Sequence, residues 1–114
     1  MIRGEIWWVD FGIPFGSERG YRRPAVIIQD NSFNKSDINT TVVIPLTTNL
    51  NMIEYPCNEF LSANETKLSK DSVVLTPQIG VIDKSRLDEK VSKLPSPTMQ
   101  RISNSVMKLL HLAE

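Results

Sequence analysis

Ala25-Val26-Ile27-Ile28 is a run of apolar residues with nothing polar interleaved, opened by Pro24 and closed by Asp30-Asn31-Ser32. A strand that is apolar at every position, not at alternate ones, needs cover on both faces. The chain has 114 residues, the size of one domain with one core, so residues 1–114 read as a single domain whose other elements wrap this run.

Most of those elements also read as short strands. Glu5-Ile6-Trp7-Trp8-Val9-Asp10-Phe11 is aromatic and β-branched between Gly4 and Gly12, and predicts a first strand. Its adjacent tryptophans point to opposite faces, so one is expected in the core and the other on the outer face. Gly12-Ile13-Pro14-Phe15-Gly16 then leaves the sheet, because proline lacks the donor and glycine invites positive φ.

Beyond the apolar run, Phe33 to Asp37 is polar and turn-prone, and Thr40 to Thr48 predicts a third strand in which Pro45 marks a bulge or an edge. Glu54 to Leu61 alternates imperfectly and is expected as a fourth strand, Ser72 to Gln78 as a fifth and Glu89 to Leu94 as a sixth. Ser62 to Lys70 is a polar connection, and Asp83 to Leu87 one turn of helix.

The period then changes. Met99, Ile102, Val106, Leu109, Leu110 and Ala113 recur at three and four, the stripe of one helix face, with Ser96 as the expected N-cap and Pro97 at the first helical position. The sum is a mainly β chain: a small, strongly bent SH3-like barrel of about six to seven strands with a C-terminal α-helix.

Thirteen basic side chains balance thirteen acidic ones, so no bulk field draws this protein to a polyanion and any such binding must come from a local patch. The N-terminal Met1-Ile2-Arg3-Gly4-Glu5 has no signal-type apolar region behind a basic start and no run of ~18 uncharged apolar residues occurs, so a cytoplasmic protein is expected. The lone Cys57 has no disulfide partner within the chain and is read as a half-buried strand residue. With one cysteine and one histidine there is no Cys/His zinc set, and His111, near the end of the helix, is read as a residue favoured by the helix dipole. No phosphate-binding glycine loop and no Ser/His/Asp arrangement is present, so no metal or other cofactor is expected.

Chemistry concentrates in Gly16-Ser17-Glu18-Arg19-Gly20-Tyr21-Arg22-Arg23-Pro24, a charged loop feeding directly into the apolar run. Arg19, Arg22 and Arg23 fall within five positions, and a guanidinium forks hydrogen bonds onto phosphate oxygens at any ordinary pH. Arg23 precedes proline and is biased to extended backbone, which holds it better than the other two. Tyr21, Phe15 and Tyr55 are available for stacking on unpaired bases. Charge pattern alone favours a solvated loop in which Glu18 pairs with an arginine over a catalytic one.

The order Arg3-Gly4-Glu5-Ile6-Trp7, Gly16-Ser17-Glu18, Gly20 with Arg23-Pro24-Ala25-Val26-Ile27, Pro45-Leu46-Thr47-Thr48, Asp71-Ser72-Val73 with Gln78, and Ile82-Asp83-Lys84-Ser85-Arg86-Leu87 resembles the MazF/PemK family of bacterial toxin endoribonucleases over nearly the whole chain. The resemblance implies a CcdB/PemK-type barrel that works as a homodimer and cuts single-stranded RNA at a short sequence without metal. The ends left are a 2′,3′-cyclic phosphate and a free 5′-hydroxyl. It implies a cognate antitoxin whose flexible acidic C-terminal segment lies in the RNA groove.

By the same likeness the catalytic pair is Arg23 and Thr47, with Glu18, Arg19, Tyr21, Arg22, Gln78 and Arg86 as RNA contacts. Arg19 stands where many relatives carry glutamine, a departure that bears on sequence preference. On its own, Thr47 is also an ordinary β-branched strand residue. Two other readings of such a barrel are a non-catalytic CcdB-like toxin that binds gyrase and a plain SH3-like binding module. The first leans on a tryptophan-bearing C-terminal tail, and no tryptophan follows Trp8.

Overall fold

The computed structural model describes residues 1–13, 16 and 21–112. Seven strands form one antiparallel sheet: β1 (Glu5–Asp10), β2 (Arg22–Ile27), β3 (Thr40–Thr47), β4 (Glu59–Leu61), β5 (Ser72–Val74), β6 (Gly80–Asp83) and β7 (Leu87–Lys93). Two one-turn helices, α1 (Asn31–Asn34) and α2 (Ala63–Thr66), lie in the connections, and α3 (Ser96–Leu109) follows the last strand. The hydrogen-bonded order is β4-β5-β3-β2-β1-β7, with β6 also on β3. This is the small bent barrel with a C-terminal helix expected from the pattern of short strands.

The central strand decides the shape. Along one edge β3 pairs with β2, while its other edge pairs with β6 over Thr40 to Val43 and with β5 over Leu46 and Thr47. Pro45 stands at the change of partner, which corrects its reading as a bulge or an edge. Its carbonyl accepts from Leu75 N at 3.0 Å, so the side of the strand on which proline has no donor is the side where β6 stops and β5 begins. The sheet forks there at no cost in ladder bonds.

The apolar run of β2 is covered on both faces, as its composition requires. Val26 joins Ile6, Ile44, Leu46, Leu61, Val74, Leu94 and Ile102 in the core beneath α3. Ala25 and Ile27 join Val9, Val43 and Ile82 in a second cluster on the other side, against which Trp7, Phe11 and Leu87 pack. Met99 and Val106 of α3 pack with Ile102 as the helical stripe predicts, whereas Leu110 lies beyond the helix and is 49% exposed. Ala113 lies outside the described residues.

Several local expectations are corrected. The fourth strand is only β4, because Leu50–Glu54 winds into a 3₁₀ turn capped by the Asn49 side chain on Asn51 N, and Pro56 has no N–H to offer a ladder. Cys57 therefore lies in a turn at φ +68°, half-buried but not in a strand. The fifth strand ends at Val74, after which Pro77 sits in a 3₁₀ turn over Thr76–Gln78. β6 was not anticipated: of its four residues only Ile82 is buried. β7 begins at Leu87, two residues before the expected sixth strand. The polar connection carries α2, started by a capping box in which Ser62 and Glu65 satisfy each other's backbone N–H.

Two further readings shift. Ser96 is the first residue of α3, and Pro95 precedes it as N-cap without a side-chain bond. His111 closes the helix in the left-handed region at φ +57°, its N–H reaching Lys108 O at 3.2 Å. Both tryptophans of β1 are half-buried, in place of one inside and one out. Trp7 packs on the second cluster with Nε1 donating to Glu5 Oε1 at 3.1 Å, and Trp8 lies under the Arg22 guanidinium.

Candidate active site

Arg23 and Thr47 stand at the ends of adjacent strands. The ladder of Ala25 with Pro45, Val26 with Ile44 and Ile27 with Val43 ends two residues short of Arg23 and Thr47, so both lie just past the last residues that β2 and β3 pair with each other. Arg23 is held by its pairing with Val9 of β1, and Thr47 by its pairing with Val73 of β5. Pro24 keeps Arg23 extended and within the strand.

Arg23 is half-buried, and its Nε is a buried donor with no partner among the described residues. Nor does any described carboxylate pair with it. An unpartnered guanidinium nitrogen at the edge of a core is costly to keep unless an anion completes it. Thr47 is 6% exposed, and its Oγ1 accepts from Asn49 N at 3.2 Å, which fixes the hydroxyl oxygen and leaves its hydrogen free to donate.

Arg22 is held differently. Its Nε meets Asp88 Oδ2 at 2.6 Å, its Nη2 meets Glu89 Oε2 at 3.3 Å, and its guanidinium lies 4.5 Å above the centre of the Trp8 ring. The hydrogen bond to Asp88 pushes its pKa up, against the opposing effect of desolvation. Tyr21, at φ +60° and 66% exposed, closes the neck of the charged loop: its N–H donates to Gly12 O, and its carbonyl accepts from Phe11 N at 2.8 Å.

Arg86 reaches the same neck, Nη1 donating to Asp10 O at 3.1 Å. Gly12 is required beneath it, since at φ +74° an added Cβ would also come within 3.3 Å of Arg86 Nη1. Gln78 ends the 3₁₀ turn between β5 and β6, half-buried, and makes no hydrogen bond to Arg23 or Thr47 among the described residues. Glu18 and Arg19 lie outside the described residues. Arg23 and Thr47 thus stand at the ends of adjacent strands, Tyr21, Arg22 and Arg86 gather at the loop neck, and Gln78 is hydrogen-bonded to neither catalytic candidate among the described residues.

A cavity of about 230 Å³, which sequence reasoning missed, opens beside Arg23. Trp8, Pro24, Leu46 and Leu68 wall it, and Thr48, Lys70 and Ser72 line its polar side. The Ser72 hydroxyl is buried and has no partner among the described residues. A serine between Asp71 and Val73 carries no sign in the sequence that its oxygen will be left unpaired.

The remaining perturbed carboxylates are structural. Burial works against ionisation of Glu5, but Lys90, Ile2 N–H and the Trp7 indole all donate to it and hold its pKa below 4.5. No cluster of three or more His, Cys, Asp or Glu residues with metal-binding geometry occurs among the described residues. Among them, too, no helix is long and apolar enough to cross a membrane.

Residues 2–110 match the family described as PemK-like, MazF-like toxin of type II toxin-antitoxin system. Endoribonuclease MazF2 of Mycobacterium bovis is 34% identical over 112 residues, 98% of each chain. Endoribonuclease MazF of Staphylococcus saprophyticus is 37% identical over 106 residues, 93% of this chain and 88% of the relative. Among solved structures, MazF from Deinococcus radiodurans superposes with a TM-score of 0.82 at 24% identity, covering 97% of this chain and 96% of its own. A mycobacterial endoribonuclease in complex with its cognate antitoxin does so at 0.80 and 20% identity, covering 100% and 98%. These structural neighbours share the fold.

Proposed function

The chain belongs to the PemK-like, MazF-like family of toxins of type II toxin-antitoxin systems, and from that premise we propose that it is an endoribonuclease cutting single-stranded RNA at a short sequence without a metal. The curated relatives are themselves named endoribonucleases, which favours this reading over a gyrase-binding toxin or a peptide-binding barrel. Arg23 and Thr47 are the catalytic pair in this proposal. What supports it is their place at the ends of adjacent strands, with Arg23 Nε buried and without a partner among the described residues.

In the reaction, the ribose 2′-oxygen attacks the adjacent phosphorus. The bond to the 5′-oxygen breaks, and the products are a 2′,3′-cyclic phosphate and a 5′-hydroxyl. Negative charge gathers on the non-bridging oxygens, where each preorganised donor lowers the barrier by roughly 3 to 4 kcal/mol. Arg23 supplies the fixed positive charge and a proton for the departing oxygen, and Thr47 donates its hydroxyl hydrogen to the phosphorane. A guanidinium holds its proton at any ordinary pH and is a poor base, so the 2′-hydroxyl proton needs another acceptor, for which Glu18 is the candidate.

Arg19, Tyr21, Arg22, Arg86 and Gln78 are assigned to the RNA on either side, Arg22 by exchanging its carboxylate partners for phosphate. The working form is a cytoplasmic homodimer, held inactive by a cognate antitoxin whose acidic C-terminal segment occupies the RNA groove. Antitoxin complexes of structural neighbours support that partner class.

The test incubates a long single-stranded RNA with the protein in EDTA and maps both cut sites and end groups. Recurrent cutting within one short sequence is expected, reduced about 10²- to 10³-fold in Arg23→Ala and Thr47→Ala with the thermal transition retained. Cleavage abolished by the chelator removes the metal-free route, and an undiminished rate in Arg23→Ala removes its catalytic role.

A further inference from the structure

We infer that the cavity beside Arg23 is a nucleobase pocket, in which the Ser72 hydroxyl reads the edge of a base flanking the scissile phosphate. The inference rests on the endoribonuclease reading and adds to it a specificity residue.

The register places the cavity. Leu46 pairs with Val74 and Thr47 with Val73, so the next step sets Thr48 beside Ser72. By strand alternation Leu46, Thr48 and Ser72 face the side of the sheet that holds Val74 and Leu61, while Thr47 faces the other. The β2–β3 ladder ends at Ala25 and Pro45 while β1–β2 and β4–β5 pair on to Arg22 and Ser72, so the two strands part beside Arg23 and Thr47 and the faces of the sheet meet in that gap. A nucleotide whose phosphate lies at Arg23 is therefore one short turn from the cavity mouth, and Arg23 is itself part of the lining.

The lining selects the ligand class. Trp8, Pro24 and Leu46 offer flat or apolar walls that suit the face of an aromatic ring, while Arg22, Arg23 and Lys70 add positive charge for the phosphates on either side of it. An apolar side chain from a partner protein would fit those walls as well, but it would leave the buried Ser72 oxygen without a partner, a cost that a base edge removes. Lys70 stands at the rim, where the phosphate following the inserted base would pass. The volume of about 230 Å³ is below the span of ordinary drug-sized pockets and limits the occupant to one small planar group.

The experiment uses the full chain and the cut sites mapped on wild-type protein. Rates are compared across RNAs carrying each base in turn at every position flanking the cut, for wild type and Ser72→Ala. In parallel, a Trp7→Phe background leaves Trp8 as the sole tryptophan. Its emission is followed while a fluorescently labelled oligonucleotide, made uncleavable by a 2′-deoxy sugar at the cut, is titrated in with anisotropy read alongside.

Ser72→Ala is expected to relax discrimination at one flanking position by roughly three- to tenfold. Its melting temperature should be unchanged or raised, because the hydroxyl removed makes no hydrogen bond among the described residues. Trp8 emission should change as the oligonucleotide binds. Unaltered preference at every position, or anisotropy that saturates while Trp8 emission stays still, overturns the pocket and leaves the nuclease standing. RNA that is neither bound nor cut by wild type overturns the nuclease, and the pocket falls with it.

Discussion

Replacing Glu65 by alanine should cost more than any other single carboxylate change, because one side chain fastens two separate elements. Glu65 Oε2 accepts from Ser62 N at 3.0 Å, completing the capping box of α2, and Oε1 accepts from Thr98 Oγ1 at 2.7 Å in the first turn of α3. Losing a cap interaction costs about 0.5–2 kcal/mol. Losing a hydrogen bond to a charged group costs about 1.5–3 kcal/mol, and Thr98, 2% exposed, has no route to water once its acceptor is gone. The Arg101 pair at 3.4 Å adds under about 1 kcal/mol, since the arginine is 46% exposed.

The expected loss is therefore about 2–6 kcal/mol, read as a lower urea midpoint at unchanged m-value. Thr98→Val and the double variant complete a cycle whose coupling should exceed ~1 kcal/mol. The carboxyl also sets a pH signature. Burial opposes its ionisation, but the bonds from Thr98 and Ser62 N–H and the charge of Arg101 outweigh it, so its folded pKa lies below the ordinary 4.5. A depressed carboxylate contributes its stability above pH 4.5 and loses it as pH falls through the folded value, so Glu65→Ala should flatten the acid limb. A loss below ~1 kcal/mol, or effects of Glu65→Ala and Thr98→Val that simply add, would refute the claim that this carboxylate docks α3.

Glu5→Gln should flatten the same acid limb independently, because Glu5 is also held below 4.5, and chemical denaturation between pH 7 and 3 measures it. Ile102→Ala should destabilise by about 2–5 kcal/mol in urea, as Ile102 is fully buried and fixes α3 on the larger core. Gly12→Ala should cost about 1–2 kcal/mol through its left-handed backbone and displace Arg86, lowering the melting temperature. Arg22→Ala should leave the melting temperature close to that of the wild type, since both of its carboxylate partners are exposed, yet weaken RNA binding, which anisotropy with an uncleavable oligonucleotide would show.

Local pattern alone determined a great deal of this protein. Apolar residues at every position of β2 demanded two covers, spacing at three and four marked α3, and an arginine before a proline at the head of a buried strand marked Arg23, because each of these signals depends only on near neighbours. Thr47 was legible by family likeness, since a strand threonine has no local mark. What tertiary structure alone decided is what depends on partners far along the chain. The fork at Pro45 exists because β5 and β6 share one edge of β3, so a proline that reads as an edge or bulge sits inside the sheet without a missing bond. Arg22 and Arg23 are adjacent and alike in sequence, yet alternation along β2 and carboxylates 66 and 67 positions away hold one and leave the Nε of the other without a partner among the described residues. Whether a buried oxygen such as that of Ser72 finds a partner is likewise set by which strand arrives beside it, and no window of sequence contains that information.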